Sequence, residues 1–165
     1  MSKTATYSLI ASNTLGTAVS TVTFSSIPAT FTDLVLVCQL TSTGTTYSSV
    51  RFNGDTATNY SLTDLYGGGG SGLTSSRQSN QSQGGNGNSS ANGSVLTVHI
   101  NDYANTNTYK TFLGRNSNIS NSLVMATSLW RSTAAINSIT LITSTADNWS
   151  IGCTFKLYGI QAGNA

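Results

Sequence analysis

Trp149-Ser150-Ile151-Gly152-Cys153-Thr154-Phe155-Lys156-Leu157-Tyr158 is the stretch that decides the fold class. Trp149, Ile151, Cys153, Phe155 and Leu157 fall on one parity; Ser150, Thr154, Lys156 and Tyr158 fall on the other. A period of two is the mark of a strand with one buried face. The same alternation recurs upstream. Val50 and Phe52 oppose Ser49 and Arg51 within 47–53, and Leu96, Val98 and Ile100 share a face within 94–101. Further strands are expected at 7–11, 18–24, 60–66, 109–115, 122–131 and 136–143. Segment 33–41 is apolar on both parities (Leu34, Leu36, Cys38 and Leu40 against Val35 and Val37), which predicts a central strand covered on both sides. Pro28 and Asn53-Gly54-Asp55 supply breaks between strands. The one helical candidate is a turn at Ser132-Thr133-Ala134-Ala135. The pattern places the chain as all-β: an antiparallel two-sheet sandwich, jelly-roll-like, with about eight to ten strands. An immunoglobulin-like sandwich is the nearest competitor, but the Cys–Trp–Cys spacing of true members is missing.

The chain has 165 residues, the size of one domain, and is read as a single β-sandwich over 1–165. Residues 67–93 differ from the rest. The tract opens with Gly67-Gly68-Gly69-Gly70, is rich in Gly, Ser, Asn and Gln, and has almost no apolar content, Leu73 and Ala91 excepted. A segment this poor in apolar side chains does not offset its own ordering entropy. It is read as a long exposed loop leaving one edge of the sandwich.

Charged residues make up 7% of the chain, against about a quarter in ordinary domains. There is no glutamate, and the acids are Asp33, Asp55, Asp64, Asp102 and Asp147. A polar but nearly uncharged surface repels its neighbours weakly, which suits a protein that ends in an assembly. The formal net charge of +2 comes from isolated Lys and Arg residues rather than a basic stripe, so nucleic-acid binding is not expected. No apolar run approaches the ~18 residues of a membrane helix, and the start, Met1-Ser2-Lys3-Thr4, carries no signal-peptide pattern. Cys38 and Cys153 lie in separate strand patterns and are read as buried free thiols.

The chemistry-bearing residues are sparse. His99 is the single histidine, and a triad through Asp102 lacks the G-x-S-x-G elbow, so it is read as a hydrogen-bonded strand residue. A paired-carboxylate hydrolase is unsupported with five aspartates near turns or strand ends. Residues 102–107 hold oxygen ligands without the acidic density of a calcium loop. No catalytic residue, cofactor or metal is therefore expected, and the chain is read as a non-enzyme. Trp130 and Trp149 fall within strand patterns and are read as core. Tyr60, Tyr66, Tyr103 and Tyr109 flank turns and are the candidates for stacking on a glycan or packing on a partner subunit.

Several segments carry a resemblance. They are Tyr7-Ser8-Leu9-Ile10-Ala11, Arg51-Phe52-Asn53-Gly54-Asp55-Thr56-Ala57-Thr58-Asn59-Tyr60, Tyr103-Ala104-Asn105-Thr106-Asn107-Thr108-Tyr109-Lys110-Thr111, the run from Leu129-Trp130-Arg131 to Ile139-Thr140-Leu141, and Phe155-Lys156-Leu157-Tyr158-Gly159-Ile160. Together they resemble a family of small jelly-roll virion proteins of tailed bacteriophages, of the aquatic and cyanophage type. The resemblance spans most of the chain outside 67–93 and implies a virion structural protein, assembled in the host cytoplasm. It carries over no ligand or catalytic residues. A stand-alone domain of this kind is expected to be a capsid decoration (cement) protein, a homo-oligomer with a trimer favoured, that binds and stabilises the major capsid protein shell. The alternative is a tail or fibre component with a receptor- or glycan-binding β-sandwich.

Overall fold

The computed structural model describes residues 6–70, 72–118, 122–144 and 146–161. Among the described residues there are twelve strands and no helix. They are β1 (Tyr7–Thr14), β2 (Thr21–Phe24), β3 (Asp33–Leu40), β4 (Thr46–Phe52), β5 (Tyr60–Gly68), β6 (Thr74–Gln81), β7 (Gly84–Ser89), β8 (Ser94–Ile100), β9 (Lys110–Asn118), β10 (Ser122–Trp130), β11 (Ile139–Thr143) and β12 (Thr154–Ile160). All pairings are antiparallel. One sheet runs β1-β12-β3-β8-β9-β10-β5-β6 and the other β2-β11-β4-β7.

This order contains a jelly roll with two insertions. With β5, β6, β9 and β10 set aside, the first strand pairs with the last (β1 with β12), then β2 with β11, β3 with β8 and β4 with β7. That is one long antiparallel ribbon, rolled so that β12 meets β3 and β11 meets β4. The hairpins β5–β6 and β9–β10 both attach beyond β8, which widens one sheet to eight strands while the other stays at four. The strand count thus exceeds the eight to ten expected, because the insertions form strands of their own.

The core lies between the sheets. Leu34, Leu36, Cys38, Leu96, Val98, Ile100, Phe155 and Leu157 point inward from the large sheet and Val50, Phe52, Ile139 and Leu141 from the small one. Phe52 anchors an aromatic cluster, with ring centroids 4.9 Å from Phe112, 5.5 Å from Trp130 and 6.3 Å from Tyr60. Cys38 and Cys153 are free and buried, and burial pushes the Cys38 thiol well up, as expected of thiols that act as small hydrophobes.

Four local readings need correction. The tract 67–93 is not one exposed loop. It holds the end of β5, the exposed edge strand β6, and β7, which packs across β9 and β10. Its glycines make that packing possible: a Cβ at Gly84 would sit 2.4 Å from Phe112 Cζ, and one at Gly87 2.9 Å from Leu96 Cδ1. The ladder with β4 supplies the hydrogen bonds that the tract's own side chains do not. The strand expected over 149–158 begins only at Thr154, because the chain turns at Ile151-Gly152, where Gly152 has φ 88°. Trp149, Cys153, Phe155 and Leu157 are buried as their parity predicts, while Ile151 is 68% exposed. Strand β3 is central, between β12 and β8, but its outer face is only flanked by neighbours: Val35 is buried, Val37 half-buried and Gln39 exposed. Residues 132–135 form no helical turn.

The segments 51–60, 102–111 and 129–141 meet at one end of the sandwich. Asn53 and Gly54 adopt φ of 53° and 68°, and the turn closes with Asp55 N donating to Phe52 O at 2.9 Å. The Asn53 side chain donates to Ala135 O at 2.8 Å and accepts from Asn137 N at 2.9 Å and Ser138 N at 3.2 Å. Trp130 Nε1 donates to Asp55 Oδ2 at 2.7 Å, and Asn59 Nδ2 and Ala57 N also donate to that carboxylate, both at 2.9 Å. Lys110 is buried, and its ammonium donates to Thr108 O at 2.9 Å and Thr133 O at 3.3 Å. Burial holds its pKa below the usual lysine range, with Asp102 acting in the opposite direction.

Asp55 makes this end of the molecule acid-sensitive. Burial pushes its carboxyl up, but the donors from Asn59, Trp130 and Ala57 outweigh that and leave the pKa below the ordinary value. A folded pKa below the unfolded one gives stability that is complete above the ordinary carboxylate value, about 4, and is lost as pH falls below it. Asp55→Ala is expected to cost about 1.5–3 kcal/mol at neutral pH, since the Trp130 N–H loses a charged acceptor. Urea unfolding at pH 7 and pH 3 checks both points: the gap between wild type and variant should shrink at the lower pH.

Candidate functional site: a groove beside the widened sheet

Because one sheet is twice as wide as the other, the inner face of β5 and β6 runs out beyond the edge of the small sheet. A cleft of about 400 Å³ opens there. Its floor comes from alternate residues of β5 (Leu62, Asp64, Tyr66) and their cross-strand partners on β6 (Gln78, Ser76, Thr74). Its wall comes from Tyr47 and Ser49 of β4, together with Gln83 and Gly85. Tyr47 and Tyr66 are 47% and 39% exposed, so each ring has a free edge or face toward solvent.

The polar groups of the cleft are held by neighbours. Asp64 Oδ1 accepts from Ser76 N at 3.2 Å and Ser76 Oγ at 2.5 Å. Arg51 Nη2 donates to Gln83 Oε1 at 3.3 Å, and Arg51 Nε to Ser82 O at 3.0 Å. Gln83 Nε2 in turn donates to Ser49 Oγ at 3.5 Å. The orientation of the Gln83 amide is therefore set before any ligand arrives.

A second hollow, of about 290 Å³, lies on the other side of Tyr66. Thr45, Asn88, Ser90, Asn118 and Ser122 line it with the same tyrosine. Three of its side-chain oxygens, Asn88 Oδ1, Ser90 Oγ and Ser122 Oγ, are buried without a hydrogen-bond partner.

The four candidate tyrosines divide evenly. Tyr66 and Tyr109 are exposed, at 39% and 54%. Tyr60 and Tyr103 are fully buried and are not available for contact with a glycan or partner. Tyr60 stacks on Trp130 at 6.2 Å and its hydroxyl accepts from Phe52 N at 2.9 Å; burial pushes that hydroxyl's pKa up. The Tyr103 hydroxyl donates to Pro28 O and accepts from Phe31 N at 3.3 Å. A tyrosine beside a turn faces inward whenever its parity matches the core. For Tyr60 that parity was legible, since Leu62 follows it on the same face. Sequence reasoning missed Tyr47, Asp64 and Gln83, because the cleft they share joins strands from two sheets.

His99 lies on the outer face of β8, as its parity predicts, with Nε2 3.1 Å from Asp33 Oδ2. Asp33 Oδ1 accepts from Asp102 N at 2.8 Å, so the partner of His99 is Asp33 rather than Asp102. Among the described residues, no group of three or more His, Cys, Asp or Glu converges on a common point.

The outer face of the large sheet carries a group of exposed apolar side chains. Leu65 and Met125 are cross-strand neighbours on β5 and β10, Leu123 follows on the same face, and Leu113 and Val95 extend the band onto β9 and β8. All five are 39–44% exposed. Arg115 stands within it, opposite Met125.

No family model matches the chain. Nor does the sequence of any curated protein.

Proposed function

We propose that this chain is a structural protein of a tailed-phage particle, a capsid decoration protein that binds the major capsid protein and stabilises the shell. The observation that carries this reading is the band of Leu65, Met125, Leu123, Leu113 and Val95 on the outer face of the eight-stranded sheet. Exposed apolar side chains gathered on one sheet face, here interspersed with Arg115, Ser117 and Thr127, suit a surface that another protein covers. The low charge of the chain removes most of the repulsion that such an assembly would otherwise meet. The sequence resemblance and the jelly-roll order of the strands point the same way, and in this reading the chain is not an enzyme. Binding to the folded form alone would raise the apparent stability of both shell and decoration, and a trimer would place copies on the symmetry axes of the lattice.

A tail or fibre component is the second reading, favoured by the cleft beside Tyr66, which suits contact with a receptor. Copy number separates the two. Quantitative mass spectrometry of purified particles against the major capsid protein is expected to give a ratio near one-to-one or a simple lattice fraction. A ratio of a few per cent overturns decoration and leaves the tail reading.

A further inference from the structure

We propose that the groove crossing Tyr66 binds an uncharged oligosaccharide segment, with the Tyr66 ring under a sugar ring and the two hollows taking hydroxyl groups on either side. This goes beyond the assembly reading and requires no particular place in a particle.

The chemistry of the lining selects the ligand. Tyr66 borders both hollows, so they form one groove interrupted by an aromatic ring. An exposed phenol ring stacks on the apolar C–H face of a pyranose while its hydroxyl bonds at the edge. Tyr47 offers a second ring in the larger cleft. Around the rings stand amides and hydroxyls, including Gln78, Gln83, Ser49 and Thr74. Neither hollow is lined by a lysine or arginine among the described residues, so an anionic sugar would meet no countercharge, and Asp64 would repel it.

The smaller hollow gives the independent observation. Buried polar atoms are rarely left unpaired, and each exception calls for a missing partner. Here the three residues that carry such atoms, Asn88, Ser90 and Ser122, all line one hollow. The amide oxygen of Asn88 is only an acceptor, so its partner must be a donor. A sugar hydroxyl donates and accepts at once, so when these side chains turn toward the hollow it serves Asn88 Oδ1 together with Ser90 Oγ or Ser122 Oγ. A metal cation fits less well, because no carboxylate lines this hollow among the described residues. Ser122 opens β10, with its backbone N donating to Asn118 Oδ1 at 3.3 Å, and Asn88 lies in β7, while Ser90 sits just past the end of that strand.

The test uses the purified full chain on an array of immobilised neutral, sialylated and sulfated glycans, followed by calorimetric titration with the strongest neutral oligosaccharide. Binding to neutral glycans is expected. Tyr66→Ala and Ser122→Ala should each weaken it about ten-fold or more, and Leu9→Ala, on the outer face, should leave it unchanged. Tyr47→Ala serves as the second ring variant if Tyr66→Ala fails to fold. Binding of anionic glycans alone, no glycan bound at all (hollows filled by water only), or neutral binding that survives the ring and Ser122 variants would each overturn the proposal. So would loss of incorporation into particles by Tyr66→Ala without any glycan binding by the wild type, which would make the groove a protein contact. None of these glycan results depends on the copy number, so the two readings fail separately.

Discussion

Phe52→Ala is expected to lower the unfolding free energy by about 3–5 kcal/mol, the range for removing a fully buried aromatic ring. Phe52 has no exposed surface and touches the rings of Phe112, Trp130 and Tyr60, one from each of β9, β10 and β5. The cost should lie at the upper end because the surrounding rings are tethered and cannot close the gap. Trp130 is held by its bond to Asp55 Oδ2, and Tyr60 by the bond its hydroxyl accepts from Phe52 N. For a chain of this size the loss corresponds to a fall in Tm of about 6–20 °C. Thermal unfolding followed by near-ultraviolet circular dichroism reads both the midpoint and the tyrosine and tryptophan environment. A loss near 1 kcal/mol would mean that the inserted hairpins close over the cavity, and that the cluster does not tie them to the small sheet.

Gly84→Ala carries the second large effect, from one added methyl group. The new Cβ would lie 2.4 Å from Phe112 Cζ and 3.3 Å from Tyr60 Cδ1. Phe112 cannot swing aside, because its ring is wedged edge-on against Phe52. Overpacking of this kind costs about 1–3 kcal/mol, and the cost should fall at the top of that range where both neighbours are fully buried rings. Strand β7 would have to lift, straining the bond from Gly85 N to Ser128 Oγ at 3.0 Å and moving Gly85 in the wall of the cleft. Gly16→Ala is the control: nothing lies within 4 Å of its added Cβ, so its effect should stay within about 0.5 kcal/mol. Urea midpoints of the two variants give the comparison directly. Equal midpoints would show that β7 does not pack as closely as these distances require.

The candidate site was legible only in part, and the reason differs by residue. Tyr66 could be singled out because it precedes a glycine run, and its ring does border both hollows. Tyr103 offered no such cue: its burial depends on Pro28 and Phe31, which are more than seventy residues away in sequence. Asp64, read with the other aspartates as near a turn or strand end, lies in mid-strand, bonded across β5–β6 to Ser76. Residues 84–89 show the same limit from the other side. Glycine, asparagine and serine carry no hydrophobic signal, so a strand made of them is invisible to periodicity. Yet these small residues are what allows β7 to lie against Phe112 and Leu96.

What the sequence by itself determined was the class of the protein: strand periodicity, turn residues and the scarcity of helix formers and charge specify an antiparallel β-sandwich. These are local properties, and a period of two is written into each segment without reference to any other. Only the tertiary structure decided that the first strand pairs with the last, that two hairpins widen one sheet to eight strands, and that the surplus width leaves a groove. Those outcomes depend on which backbone edges meet across more than a hundred residues of chain, as in the pairing of Tyr7 with Ile160. Every antiparallel edge offers the same hydrogen bonds. The choice among edges falls to side-chain packing between the sheets, a property that no single segment contains.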